Sequence, residues 1–258
     1  EPFLNKPARF VTLSTDNAVR AGRDRETLES VIRVISSVTT SELAYKYLRS
    51  AMAVLKHNHE NYLKKFSIGD ALIDVSEFSQ LVLDYIYKIT NHTMDGEVCP
   101  LVVAELERLY LGKDYKVVPH KVNESGSSSK EVGDIDIFDS EGTLVNAIEV
   151  KDKNFSEQDV IHAISKFRQA NLTSSFFIYG KNVNFDEDAV CQALKKIGRE
   201  GHYCCLISIL SYAKMRIADL KVVTVRDFVD GLLKFSKLIN AKDDTINIIK
   251  TISSQIFN

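Results

Sequence analysis

The sequence is poor in the residues that break or cross-link a chain. Four prolines and eleven glycines in 258 residues argue against a disordered or fibrous class. The four cysteines, Cys99, Cys191, Cys204 and Cys205, have no paired zinc-site spacing and read as reduced, mostly buried thiols of a cytoplasmic protein. No window approaches the length and apolarity of a membrane span, so no membrane partner is expected. The opening stretch, EPFLNKPARF, has neither the basic leader nor the apolar run of a signal peptide, and it has no initiator Met, which leaves a longer parent protein open. An excess of one charge is missing too: 33 Lys and Arg face 35 Asp and Glu. A strongly basic chain would point to nucleic acid, but an enzyme on DNA needs only one basic face and an acidic metal site. No Gly-rich phosphate loop or dinucleotide fingerprint occurs, which argues against a nucleotide cofactor.

What is present suits one large domain or two smaller ones, with 45% hydrophobic and 26% charged residues. Residues 1–96 read as a mainly helical lobe, suited to DNA recognition or dimerisation. DRETLESVIRVISSV has Asp24 as a candidate cap and Leu28, Val31, Ile32 and Ile35 on one face. Leu43, Tyr47, Leu48, Met52 and Leu55 continue the helical period, as do Phe78, Leu81, Val82, Tyr85, Ile86 and Ile89 behind a Ser76 cap. Residues 97–258 then change pattern. CPLVVAELERLYLG reads as a helix with Pro100 in its first turn and Gly112 just past its end. YKVVPHKV, GDIDIF and LVNAIEVK read as strands, the last two joined by the short turn DSEGT. A helix capped by Ser156, a strand SSFFIYG, a further helix, a strand YCCLISIL and two C-terminal helices follow. The expected fold is α/β: a mixed sheet flanked by helices.

The strands carry charges in unusual places. Residues two apart on a strand share a face, so Asp134 goes with Asp136, and Glu149 with Lys151. If DSEGT makes a hairpin, Asp136 and Glu149 converge. Alternating charge usually marks a solvated face. LVNAIEV, however, is apolar on both faces apart from Asn146 and Glu149, as a central strand would be. An unpaired carboxylate buried there costs several kcal/mol, which a bound divalent cation removes.

GDIDIF followed by AIEVK resembles the PD-(D/E)xK nuclease superfamily, whose core order of helix, three antiparallel strands, helix and strand matches residues 98 to 180. Most like a type II restriction endonuclease, the chain is expected to hydrolyse phosphodiester bonds of double-stranded DNA with one or two Mg²⁺ ions, Mn²⁺ being able to substitute. The resemblance places the E-x-K half on Glu149 and Lys151. It prefers Asp136 as the first carboxylate, with Asp134 as a neighbouring or alternative ligand, and it adds the Val150 carbonyl. A helix Glu often completes the set; Glu105 is the candidate, with Glu107 and Glu97 as competitors. Lys151 would orient or help deprotonate a water. Ser127, Ser128 and Lys130 in the serine-rich loop, and Lys153, Lys166 and Arg168, are candidate DNA contacts. A prokaryotic, cytoplasmic homodimer is implied. A junction resolvase or other repair nuclease, or a non-cleaving nucleic-acid-binding module of the same fold, is the alternative.

Overall fold

The computed structural model describes residues 12–18, 22–66, 79–121, 131–220 and 223–257. The chain divides into two compact units, Glu1–Lys64 and Lys65–Asn258.

In the first unit, α1 (Arg23–Ser36) and α2 (Ser41–Lys64) follow a short 3-10 turn at Thr15–Asn17. Gly22 occupies the N-cap of α1, so Asp24, expected there, lies inside the first turn, where its charge still favours the helix dipole. Leu28 is buried, but Ile35 is half exposed. α2 buries no residue, and its expected apolar stripe of Tyr47, Leu48, Met52 and Leu55 is open. Among the described residues of this unit, α1 and the 3-10 turn leave that stripe uncovered, so helical periodicity here predicts the helix and not its burial.

In the second unit, α3 (Ser79–Ile89) and α4 (Val98–Leu111) precede β1 (Lys116–Pro119), β2 (Ile135–Phe138) and β3 (Leu144–Lys151). After these come α5 (Glu157–Gln169), β4 (Ser174–Tyr179), α6 (Glu187–Arg199), β5 (Tyr203–Ser208), α7 (Ile209–Asp219), α8 (Val225–Leu238) and α9 (Asp243–Phe257). The compact unit thus begins before α3, whereas the sequence pattern suggested a boundary near residue 96. The expected Phe78 contact and Ser76 cap lie outside the described residues.

The sheet order is β1-β2-β3-β4-β5; the first three strands run antiparallel and β3, β4 and β5 run parallel. The expected hairpin is present: Asp139 Oδ1 accepts from the Glu141 and Thr143 amides at 3.0 and 2.8 Å, and Gly142 supplies the positive φ of 81°. α5 starts at the Ser156–Asp159 capping box, and α4 stops at Gly112, φ 71°. YCCLISIL is shorter as a strand than expected, because the Ser208 side chain caps α7 by accepting from the Ser211 amide at 3.2 Å.

Two apolar layers enclose the sheet. Ile135, Ile137, Ile148, Val150 and Ile178 pack with α3, α4, α7, α8 and α9. Ala147 and Phe177 pack on the other side with Val160, Ile164 and Phe167 of α5 and Val190 and Ile197 of α6. The four cysteines are all free; Cys99 is buried, but Cys191 is exposed, against expectation. Among the described residues no helix is long and apolar enough to cross a membrane.

α4 carries its own buried acids. Glu107 accepts from Arg216 Nε at 2.5 Å and from the Tyr212 hydroxyl. Glu105, fully buried, accepts from Arg108 at 2.6 and 2.7 Å, and burial pushes its carboxyl up to about 7 despite that guanidinium. Gly231 of α8 faces it: a Cβ there would stand 2.0 Å from Glu105 Cδ. Gly231→Ala is therefore expected to cost about 1–3 kcal/mol, measured by urea denaturation. Because the folded-state pKa of Glu105 lies above its ordinary value, the stability it confers is full at low pH and is lost as pH rises through about 7. The urea midpoint should fall from about pH 5 to about pH 8, and less steeply in Glu105→Gln; an equal slope would contradict the assignment.

Candidate active site

The β2–β3 register determines which charged side chains meet. Ile135 pairs with Ile148 and Asp136 with Ala147. Alternation sends Ile135, Ile137, Ile148 and Val150 into the layer beside α4, and Asp136, Ala147, Glu149 and Lys151 toward α5. Asp134, just before β2, joins that side. The α4 acids therefore lie behind the opposite face of the sheet.

Each carboxylate on the α5 side has a distinct environment. Asp136 is 1% exposed. Its Oδ1 accepts from the Gly133 amide at 3.0 Å; its Oδ2 accepts from the Val132 amide at 3.1 Å and meets His120 Nε2 at 2.9 Å. Asp134 Oδ2 accepts from the Val150 amide at 2.8 Å, covering the edge of β3 where β2 has ended. Burial, then the Glu149 charge, push Asp134 up to about 6, against the pull of the Val150 amide and of Lys151. Glu149 Oε1 accepts from Lys151 Nζ at 2.5 Å, while Glu149 Oε2 is buried without a hydrogen-bond partner. Burial pulls the Lys151 ammonium down, but the Glu149 charge and hydrogen bond outweigh it and the net shift is upward. Lys151 thus stays protonated as a donor.

A cleft of about 1020 Å³ opens over this edge of the sheet. Gly133, Asp134, Val150, Lys151, Asp152, Lys153, His120, Lys121 and Glu131 line one wall; His162 and Lys166 of α5 and the Thr93–Gly96 turn with Pro100 and Lys242 line the rest. His162 and Lys166 are four apart on a helix and so share a face. His120, Lys121, Glu131, Asp152 and Lys242 were not singled out from the sequence. Nothing in VPHKV distinguishes a cleft histidine from an exposed one, and Lys242 comes to the cleft only through the packing of the C-terminal helices.

Four expected residues lie elsewhere or are already engaged. Glu105 is held by Arg108 against Gly231, and Glu107 by Arg216, both on the far side of the sheet. Glu97 is close to the cleft but occupied: its Oε2 accepts from the Lys242 amide at 3.1 Å and Thr245 Oγ1 at 2.5 Å. Arg168 pairs with Glu200 at 2.7 Å and lines a separate hollow with α6, two residues round the helix from Lys166. Ser127, Ser128 and Lys130 lie outside the described residues.

The acid face presents carboxylate oxygens of the kind a small hard cation takes. Among the described residues no three His, Cys, Asp or Glu side chains form a ready-made cage. Mg²⁺ needs none, since it keeps several waters and binds through one or two carboxylates. The orphaned Glu149 Oε2 lies beside Asp134, whose carboxyl is pushed up by burial and then by the Glu149 charge.

Two family descriptions match the chain. The SacI restriction endonuclease N-terminal domain matches residues 1–59 and the C-terminal domain matches residues 75–181, together well over half of the sequence. The chain belongs to the SacI restriction endonuclease family. No curated protein matches it. The N-terminal match falls on the first compact unit, and the C-terminal match runs from α3 through the hairpin to β4, so it contains Asp134, Asp136, Glu149 and Lys151. Family membership makes DNA the substrate class and a nuclease the enzyme class.

Gly133 gives a test of how closely the hairpin must approach. A Cβ there would stand 2.7 Å from the Ile148 carbonyl oxygen, a backbone atom that cannot swing aside. Gly133→Ala is expected to cost about 1–3 kcal/mol in urea denaturation and to lower nuclease activity at temperatures where it remains folded, because the Gly133 amide also holds Asp136.

Proposed function

We propose that this restriction endonuclease hydrolyses phosphodiester bonds of double-stranded DNA at a specific sequence, with Mg²⁺ held on the α5 side of the β2–β3 hairpin in a PD-(D/E)xK arrangement. The observation that carries the reading is the buried, unpartnered Glu149 Oε2 beside the Asp134 carboxylate and Lys151, with Asp136 two positions along the same face of the hairpin. Glu149 and Asp136 are the carboxylate ligands, with the Val150 carbonyl and with Asp134 beside them. Asp136 suits the part although it is buried. Its Oδ2 takes two donors and its Oδ1 only one, so an oxygen with spare acceptor capacity remains.

When bound, the ion supplies a polarised phosphate and a water of lowered pKa. Lys151 keeps its proton, bound to Glu149, and donates to the phosphate oxygens as charge develops on them, or orients the attacking water. Lys153 and Lys166 take neighbouring phosphates on the two sides of the cleft. His162, on the same helical face as Lys166, extends that contact. A palindromic site cut on both strands calls for a two-fold homodimer.

The test is digestion of plasmid and phage DNA with Mg²⁺ and then with EDTA, followed by sequencing of the ends. Discrete fragments with one end sequence, lost in EDTA, are expected; cleavage in EDTA would contradict the assignment, and cleavage only of branched junctions would indicate a structure-directed nuclease. Glu149→Gln and Asp136→Asn should abolish cleavage and leave gel-shift binding of DNA intact. Asp134→Asn, which can keep its bond to the Val150 amide, should slow cleavage without abolishing it; the reverse ranking would make Asp134 the principal ligand. Lys166→Ala should weaken DNA binding alike on all sequences and reduce the slope of log affinity against log salt by about 1.

A further inference from the structure

One side chain in the cleft wall has a place in the site without a place in the chemistry above. His120 follows β1 directly, and its backbone amide donates to the Asp134 carbonyl at 2.9 Å, which continues the β1–β2 pairing past Pro119 and Ile135. Its ring then turns toward β2. Nε2 lies 2.9 Å from Asp136 Oδ2, and Nδ1 lies 3.4 Å from Glu131 Oε1 on the far side of the ring. The ring is therefore fixed at both nitrogens, between a buried carboxylate and one at the rim of the cleft.

The three donors to Asp136 are not equivalent. The Val132 and Gly133 amides belong to the turn that leads into β2, a few residues from Asp136 itself. They would follow that carboxylate if it rotated or if the turn shifted. His120 comes from the neighbouring strand and is fastened to the sheet by its own backbone. It alone among the described donors refers Asp136 to a part of the sheet outside its own turn. With Oδ2 saturated by His120 and Val132, rotation of the carboxylate would break two bonds at once, and Oδ1 is the oxygen left with capacity for a cation.

We propose that His120 is a positioning residue for Asp136: its Nε2–H fixes the carboxylate plane that the metal-binding oxygen requires. The inference rests on the reading of the acid face as a Mg²⁺ site. It adds the residue just past β1 to a centre otherwise assembled from the β2–β3 hairpin and α5, and outer partners of this kind set ligand orientation elsewhere.

The test uses the full chain and three substitutions. His120→Gln places a terminal N–H donor near the position of Nε2, His120→Asn has a shorter amide that falls short of it, and His120→Ala removes the donor. Cleavage of a plasmid bearing the recognition site is followed against Mg²⁺ concentration, with DNA affinity measured separately in EDTA. Expected is a rise of about 10–100-fold in the Mg²⁺ needed for half-maximal cleavage, or a comparable loss of rate, in His120→Ala and His120→Asn. DNA affinity should be unchanged, and His120→Gln should recover most of the loss. Wild-type behaviour of His120→Ala would overturn the proposal, as would equal impairment of folded Gln and Asn variants. DNA affinity falling in step with the rate would instead make His120 a direct DNA contact and also overturn it. If His120→Ala does not fold, the Gln–Asn comparison decides alone. Glu149→Gln in the same assay separates the two layers: cleavage by Glu149→Gln would sink the Mg²⁺ reading, whereas an inactive Glu149→Gln beside an unaffected His120→Ala sinks only the role of His120.

Discussion

A carboxylate leaves water only if donors or a cation come to meet it, and that constraint organises both faces of the sheet. On the α4 side the need is met by protein: Glu105 has Arg108, Glu107 has Arg216 and Tyr212, and Glu97 has Thr245 and the Lys242 amide. On the α5 side it is met only in part. Asp136 takes three donors and Asp134 one amide, but Glu149 has a single lysine for two oxygens. Among these acids, Glu149 is the one left with an oxygen that no donor reaches, while the α4 acids each have one or more donors.

The hairpin could be read from the sequence because its determinants are local. DSEGT carries its own turn chemistry, and the period-two alternation on either side sets which residues share a face. That Glu149 and Lys151 share a face followed from that; the place of β4 in the sheet did not, because it depends on the crossover through α5. The choice of helical acid did not, since it depends on which face of the sheet α4 covers. Leu101, Val102 and Leu109 mark the apolar stripe of that helix, and Glu105 does lie beside it; what lies across from the stripe is α8, through Gly231, and no local pattern encodes that distant contact. Arg168 failed for a simpler reason of helical geometry: two residues beyond Lys166 is the wrong side of a helix.

His120 and α7 were missed for related reasons. A histidine at the end of a short strand has no periodicity to announce it, and its role depends on a pairing sixteen positions along the chain, at Asp136. In YCCLISIL the apolar run continues through a change from strand to helix, so composition alone gives no sign of the switch; Ser208 marks it only as a cap. The open stripe of α2 shows the converse, a strong periodic signal with no burial behind it in its own unit.

The sheet changes direction sense at β3, antiparallel to β2 on one side and parallel to β4 on the other. The three acids and the lysine all come from the antiparallel side, within the continuous stretch of residues 134–151. Bringing them together therefore requires closing only one short turn, at small cost in chain entropy. The long crossovers through α5 and α6 act at a later level: they cover an array that the hairpin has already aligned, and they determine how dry it becomes. Order among the charged groups and exclusion of water are in this sense separable properties of the fold, built from contacts of very different sequence range.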